Sequence, residues 1–408
     1  MFHTAHSARS ARRGRDIDEE HRVSTPLELL FDLVFVVAIA LASSSLHHGI
    51  SGGHWFDAGR AFGLVFFAIW WGWMNYTWFA SAYDNDDARF RLLTMLQMVG
   101  VVIFATGVPL VFQGQWGPAV AGFVVMRLAL AIQWLRAAAG DPERRTTCRR
   151  YAMGICVAQV GWILRLFLPA EWQWPAALVL ILVELSVPAW AERAGGTPWH
   201  AHHIAERYGL MTIIVLGECV LGSVNAVAGV LTAEGWSWNI ALVGLGGMSL
   251  VLSLWWMYFM LPSGEALHHH RERAWGWGYG HFFLFAAVAV MGAGLEAVAD
   301  TLKAPPAAGG PSGDVHAASP MLAIGAVAFG QAVFILSLWR LWLFATRAAA
   351  RQAGVVTLSL ALLGAVVLAV HAGLPLPWAL PLLTLGPVLL IVYNEHGRRH
   401  CTEHFSIR

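Results

Sequence analysis

Between Ala353 and Val370 the chain runs AGVVTLSLALLGAVVLAV, without a single charge. A run of roughly 18 or more apolar residues is the length that crosses about 30 Å of hydrocarbon as a helix. Inside lipid every backbone N–H and C=O must find a partner in the protein, which leaves only helices and closed barrels as spanning structures. Barrel strands alternate apolar and polar residues; this run is continuous, so helices are expected. Composition extends the conclusion to the whole chain. Of 408 residues 57% are hydrophobic and 12% are charged, about half the charged share of a soluble domain. The 21 Trp and 41 Gly suit interfacial anchoring and close helix packing in a bilayer.

The fold class is therefore all-α and membrane-integral, with twelve transmembrane helices. The spans are predicted near 27–47, 58–82, 90–112, 118–138, 151–169, 173–190, 207–230, 238–261, 275–298, 321–345, 354–372 and 377–394. Basic residues test this count independently, because cytoplasmic loops carry the excess of Lys and Arg. With the N-terminus inside, 21 of the 26 Lys and Arg fall on inner segments, and the outer side holds only Lys303 and Arg60. Both termini are thus predicted cytoplasmic. The basic leader is read as a retained tail and not a cleaved signal. The expected organisation is a basic tail over 1–26, a first half over 27–190, a linker over 191–206, a second half over 207–394 and a His-rich tail over 395–408. LLFDLVFV (29–36) aligns with VLGECVLG (215–222), placing Asp32 over Glu218, and Trp70-Trp71 aligns with Trp255-Trp256 at nearly the same offset. Two parallel six-helix repeats would produce that pattern. The outer loop 301–320 reads as a flexible linker. Cys148, Cys156, Cys219 and Cys401 imply no disulfide framework.

Function is sought among charges inside the spans, since each costs about 2.5–3.5 kcal/mol at a helix centre and must be faced inward and partnered. Span one opens PLELLFDLVFVVAIA. Glu28 and Asp32 are four apart and share a helix face, with Thr25 or Ser24 as cap and Pro26 in the first turn. Glu28 alone can answer the helix dipole at the interface; Asp32 lies about 9 Å inside by helical rise. Span seven carries HHIAERYGLMTIIVLGECVLG. There Glu206 and Arg207 are expected to form an ion pair at the cytoplasmic mouth, and Glu218 falls about 17 Å further along, near mid-bilayer.

These two segments resemble the signature stretches of the bacterial low temperature requirement A (LtrA) family, with WWGWMNYTWFASAYDNDD (70–87) as a third matching stretch and similarity over nearly the whole chain. The matching positions are Glu28, Asp32, Glu206, Arg207, Gly217 and Glu218. The resemblance implies a multi-pass membrane protein and brings no settled substrate, reaction or catalytic residues.

Further intramembrane charges supply partners. Arg127 and Glu184 are expected near mid-bilayer, and Arg340 at the depth of Asp32. Arg165, close to the outer end of span five, is expected to snorkel. Asp84, Asp86 and Asp87 alternate like part of a calcium loop but lack its Gly and distal Glu, and read as a polar turn. His396, His400 and His404 would share one face of a helical tail that could bind a transition metal. No phosphate loop, nucleophile elbow or dinucleotide fingerprint is present, so no catalytic residues and no cofactor are expected. The expected partners are the lipid bilayer and a small solute or ion, with no nucleic acid. The leading expectation is a secondary transporter or permease whose polar site draws on Asp32, Glu218, Arg127, Glu184, Glu28 and Arg340. An intramembrane enzyme acting on a lipid or isoprenoid is an alternative, and a non-catalytic stress or signalling component is another.

Overall fold

A computed structural model describes residues 14–19, 22–303, 319–345 and 352–405, with side chains to residue 396 in the last helix. The described residues form helices joined by short turns: α1 (Pro26–Ser51), α2 (Trp55–Tyr83), α3 (Ala88–Val111), α4 (Gly117–Gly140), α5 (Arg145–Arg165), α6 (Ala170–Glu192), α7 (Ala201–Glu234), α8 (Trp238–Phe259), short α9 (Ser263–His269), α10 (Ala274–Leu302), α11 (Pro320–Ala345), α12 (Ala353–His371), α13 (Leu376–Leu383) and α14 (Leu385–Phe405). Every predicted span falls on a helix, and the twelfth is shared by α13 and α14. Ten helical segments are long and apolar enough to cross a membrane. α2 and α5 are not among them. α2 is rich in Trp and carries Asn75 and Thr77, and α5 begins at Arg145 and carries Arg149, Arg150 and Gln159. The chain is a multi-pass α-helical membrane protein.

Two compact units are present: residues 1–42 with 64–208, and residues 43–63 with 209–408. The division thus cuts through α1, α2 and α7 and does not fall at the linker 191–206.

In the first unit, α1 has one apolar face turned outward, with Leu29, Leu33 and Val37 between 44% and 60% exposed, and an opposite face on which Glu28, Phe31, Asp32, Phe35 and Ala38 are buried. α3 and α4 approach until their backbones nearly touch. A Cβ added at Gly122 would lie 2.1 Å from the Phe104 nitrogen, and one at Gly107 would lie 2.3 Å from the Ala119 nitrogen. Lipid offers no hydrophobic drive for association, so such small-residue seams supply dispersion contact instead. Gln97 donates to Gln133 across the same seam at 2.7 Å, and Gln133 donates to Thr94 at 3.1 Å. The described part of the N-terminal tail docks here too: the Arg15 N–H donates to the Ala82 carbonyl at 2.9 Å.

In the second unit α10 is the most enclosed helix, with buried residues on every turn. Gly294 and Gly330 make its contact with α11 possible, their added Cβ atoms meeting backbone at 2.8 and 2.6 Å. The break between α13 and α14 comes from Pro387, which has no N–H to give the Leu383 carbonyl one turn back. Gln331 of α11 donates to that carbonyl at 2.8 Å. A side chain thereby satisfies the backbone group that proline frees, as a water-free environment demands.

Candidate functional site

α1, α2 and α7 bring a charged cluster together inside the first unit. The Arg207 fork grips Asp32: Nη2 donates to Oδ1 at 2.5 Å and Nε to Oδ2 at 3.2 Å. Trp73 of α2 adds an indole N–H to Oδ1 at 2.7 Å. The remaining amino group, Nη1, lies 3.0 Å from Glu28 Oε1, and His203 Nε2 stands 3.2 Å from the same oxygen. Glu28 turns its other oxygen back to the helix start, accepting from the Thr25 N–H at 2.8 Å and its hydroxyl at 3.0 Å. The Glu28 N–H donates in return to the Thr25 hydroxyl at 3.3 Å. Thr25-Pro26-Leu27-Glu28 is thus a capping box whose glutamate also serves an arginine one face away. Glu28, Asp32, His203 and Arg207 are 0–1% exposed. A buried charge of this kind is tolerated only when bidentate geometry and extra donors replace its water. Beside this cluster Arg22 bridges Glu28 at 3.6 Å and Asp84 at 3.7 Å. Burial pushes the Asp84 carboxyl up to about 6, and the Glu28 charge acts in the same direction.

A second cluster of the first unit centres on Glu184 of α6. Arg127 Nη2 and Trp71 Nε1 both donate to its Oε2 at 2.8 Å, and Gln159 donates to Oε1 at 2.9 Å. Four helices converge on one carboxylate, and the pair is fully enclosed.

The second unit is different. Glu218 is 8% exposed, and no Lys or Arg among the described residues pairs with it. The Ser43 hydroxyl, which donates to the Ala289 carbonyl at 3.1 Å, is its polar neighbour, and Glu296 is its charged one. α7 and α10 are in backbone contact at this point, where a Cβ on Gly292 would come within 2.8 Å of the Glu218 Cβ. From there polar groups continue along α10 at every turn. Glu296 accepts from Asn225 at 3.2 Å and lies 3.3 Å from His47 Nδ1. His47 Nε2 lies 2.6 Å from Asp300, which also accepts from Ser51 at 3.0 Å and from Lys303 at 2.6 Å.

The profile of the bacterial low temperature requirement A protein matches residues 23–392, which takes in all three constellations. The chain belongs to this family. It is also 30% identical over 257 residues to an uncharacterized protein of Rhizobium meliloti (strain 1021), covering 59% of each sequence, so it spans under two thirds of that relative. No solved structure matches.

In this LtrA protein the residues singled out from sequence separate into distinct groups. Asp32 and Glu28 stand together, and Arg127 stands with Glu184 in another cluster. Glu218 belongs to the second unit. The expected Glu206–Arg207 pair does not form. Arg207 turns inward to both carboxylates, and Glu206 accepts from the Ser24 N–H at 3.3 Å. Neighbours in a helix point about 100° apart and do not face one another, and that geometry could have redirected Arg207 to the buried side. Arg340 is exposed on α11, with no ion pair among the described residues; the role expected of it is taken by Arg207. Arg165 does not snorkel: it is 1% exposed. Asp87 caps α3 through the Phe90 N–H at 2.6 Å, and Asp86 pairs with Arg91 at 2.6 Å, as suits a polar turn. His396 bonds the Val392 carbonyl at 2.8 Å; the His400, His404 and Cys401 side chains, and most of the loop 301–320, lie outside the described residues. Sequence reasoning missed His47, Glu296 and Asp300, and saw His203 only as one of a group of histidines without a role. The signal for the two acidic residues was available: Gly292, Glu296 and Asp300 are spaced i, i+4, i+8 and share a helix face.

Proposed function

We propose that this LtrA protein is a secondary permease in which movement of a small solute or ion is coupled to protonation of Glu218. The observation that carries the reading is the absence of a cationic partner for a buried carboxyl, among the described residues, in a unit where His47, Glu296 and Asp300 line the same side of α10. An intramembrane carboxylate without a countercharge is costly when ionised and is therefore suited to binding a proton or cation in passage. The clusters of the first unit support a different role. Asp32, Glu28 and Glu184 each have an arginine, and complete pairing suits helix registration better than transport or intramembrane catalysis. The placement is the bacterial inner membrane with both termini cytoplasmic, supported by the alternation of basic residues between loops.

The test uses proteoliposomes that contain the full chain, a trapped pH dye and an imposed proton gradient. Inorganic cations and small organic acids are added in turn. One of them collapses the gradient in the wild type, and Glu218→Gln lowers that response at least tenfold. If no solute moves the dye, or if the variant responds like the wild type, the permease reading is wrong.

A further inference from the structure

Polar side chains of α1, α7 and α10 form a ladder within the second unit, and close contacts fix its register. A Cβ on Gly292 would lie 2.8 Å from the Glu218 Cβ, one on Gly222 would lie 3.4 Å from the Glu296 nitrogen, and one on Gly229 would lie 2.9 Å from the Ala299 carbonyl oxygen. α7 and α10 therefore climb in step toward the Lys303 end of α10, the end that charge placement puts outside. On α1, Ser43 stands beside Glu218, His47 beside Glu296 and Asp300, and Ser51 beside Asp300. Between Gly292, level with Glu218, and Asp300 the helix rises about 12 Å.

His47 is the rung that faces two ways. Its Nδ1 lies 3.3 Å from Glu296 and its Nε2 lies 2.6 Å from Asp300. A neutral imidazole has one N–H and one lone pair, so both contacts are hydrogen bonds only if the ring or one of the carboxyls carries a further proton. In either case a proton can enter at one ring nitrogen and leave from the other. Among the described residues, the charged and titratable groups around the ring are these two carboxyls, Lys303 behind Asp300 at 2.6 Å, His48 with ring centres 5.0 Å apart, and Glu218 one turn deeper. Exposure falls with depth: the Asp300 side chain is 27% exposed, those of His47 and Glu296 are 14% and 16%, and Glu218 is buried. A structural ion pair would use one ring nitrogen and one carboxylate; the second carboxylate and the graded access are what a proton path requires.

We infer that His47 relays protons between the outer water and Glu218. Asp300 takes a proton at the open end and passes it to Nε2 of His47, and the imidazolium releases its Nδ1 proton to Glu296. Rotation of the Glu296 side chain carries that proton across the one remaining turn, about 5.4 Å, to Glu218, and the neutral ring resets by turning over. Each transfer breaks one O–H or N–H bond and forms another, so nothing but the proton moves. Chains of Asp, Glu and His carry protons through pumps and transporters in this way. The inference rests on the permease reading, to which it adds the route and the side from which Glu218 exchanges its proton.

Infrared difference spectra of the full chain in detergent, recorded after a rapid drop in pH, would follow Glu218 without any solute. The expected spectrum contains a carboxylic-acid carbonyl band that is missing in Glu218→Gln, and the rise of that band gives the protonation rate. His47→Ala should slow the rise at least tenfold, and added imidazole, small enough for the space the ring vacates, should restore most of it. A purely structural histidine would give no such recovery. Asp300→Asn, at the more exposed end of the ladder, should slow the rise too, and decides the matter if the histidine variant does not fold. An unchanged rate in either folded variant, or a loss in His47→Ala that imidazole does not recover, would overturn the relay and leave Glu218 as a proton site. Absence of any Glu218-dependent band would instead sink the permease reading, and the relay with it.

Discussion

Asp84 sits just past the end of α2, 5% exposed and 3.7 Å from Arg22. Its raised titration has a consequence for stability with a definite sign. A carboxyl whose folded value is about 6 binds its proton more tightly in the native state than in the unfolded one. Its contribution is therefore complete below about pH 4 and is lost as pH rises through 6, by up to about 3 kcal/mol. The melting midpoint of the wild type should fall relative to that of Asp84→Asn between pH 4 and pH 7, and parallel curves for the two proteins would show that Asp84 titrates normally. The residue scale is also where the sequence was least legible. The depth of Asp32 could be counted along a helix, and so could its need for a partner. Which arginine answers it depends on how α1 and α7 pack, and Arg207 looked interfacial because Glu206 stands next to it. Arg127 and Glu184 were more legible: they are two opposite charges at one depth, with nothing nearer to compete for either.

The seam between α3 and α4 has no strong signature in sequence, because Gly100, Gly107 and Gly122 look like any of the 41 glycines. The contacts distinguish them. Alanine at Gly122 would drive its methyl into the Phe104 backbone, whereas alanine at Gly364 of α12 meets nothing within 4 Å. The same substitution should therefore have opposite signs. Gly122→Ala should lose about 1–3 kcal/mol or more to overpacking, and Gly364→Ala should be neutral or gain a few tenths through helix propensity. Thermal melts in detergent, followed by tryptophan fluorescence, would compare them; equal midpoints would mean the α3–α4 seam can open without cost. Helix positions were legible because lipid imposes length and apolarity directly. The break at Pro387 was visible in the sequence, but not Gln331 as the side chain that repairs it, since that pairing lies between helices far apart in the chain.

For the molecule as a whole, the family match runs from residue 23 to residue 392 and includes both units. The alignment that places Asp32 over Glu218 joins residues with unlike surroundings, one gripped by an arginine and the other beside a second carboxylate. Trp71 is buried against Glu184, while its counterpart Trp256 is 50% exposed. Helix number was legible because hydropathy and charge placement are separate signals that agree. The side of the membrane on which each end of α10 lies rests on charge placement alone, and the structure supplies a way to read it. Lys303, bonded to Asp300 at the end of α10 and 56% exposed, carries the one side-chain amine in the entire sequence. An impermeant amine-reactive label applied to spheroplasts therefore has a single side chain to find. Modification of the Lys303 peptide before lysis is expected; modification only in inverted vesicles would reverse the orientation of every helix.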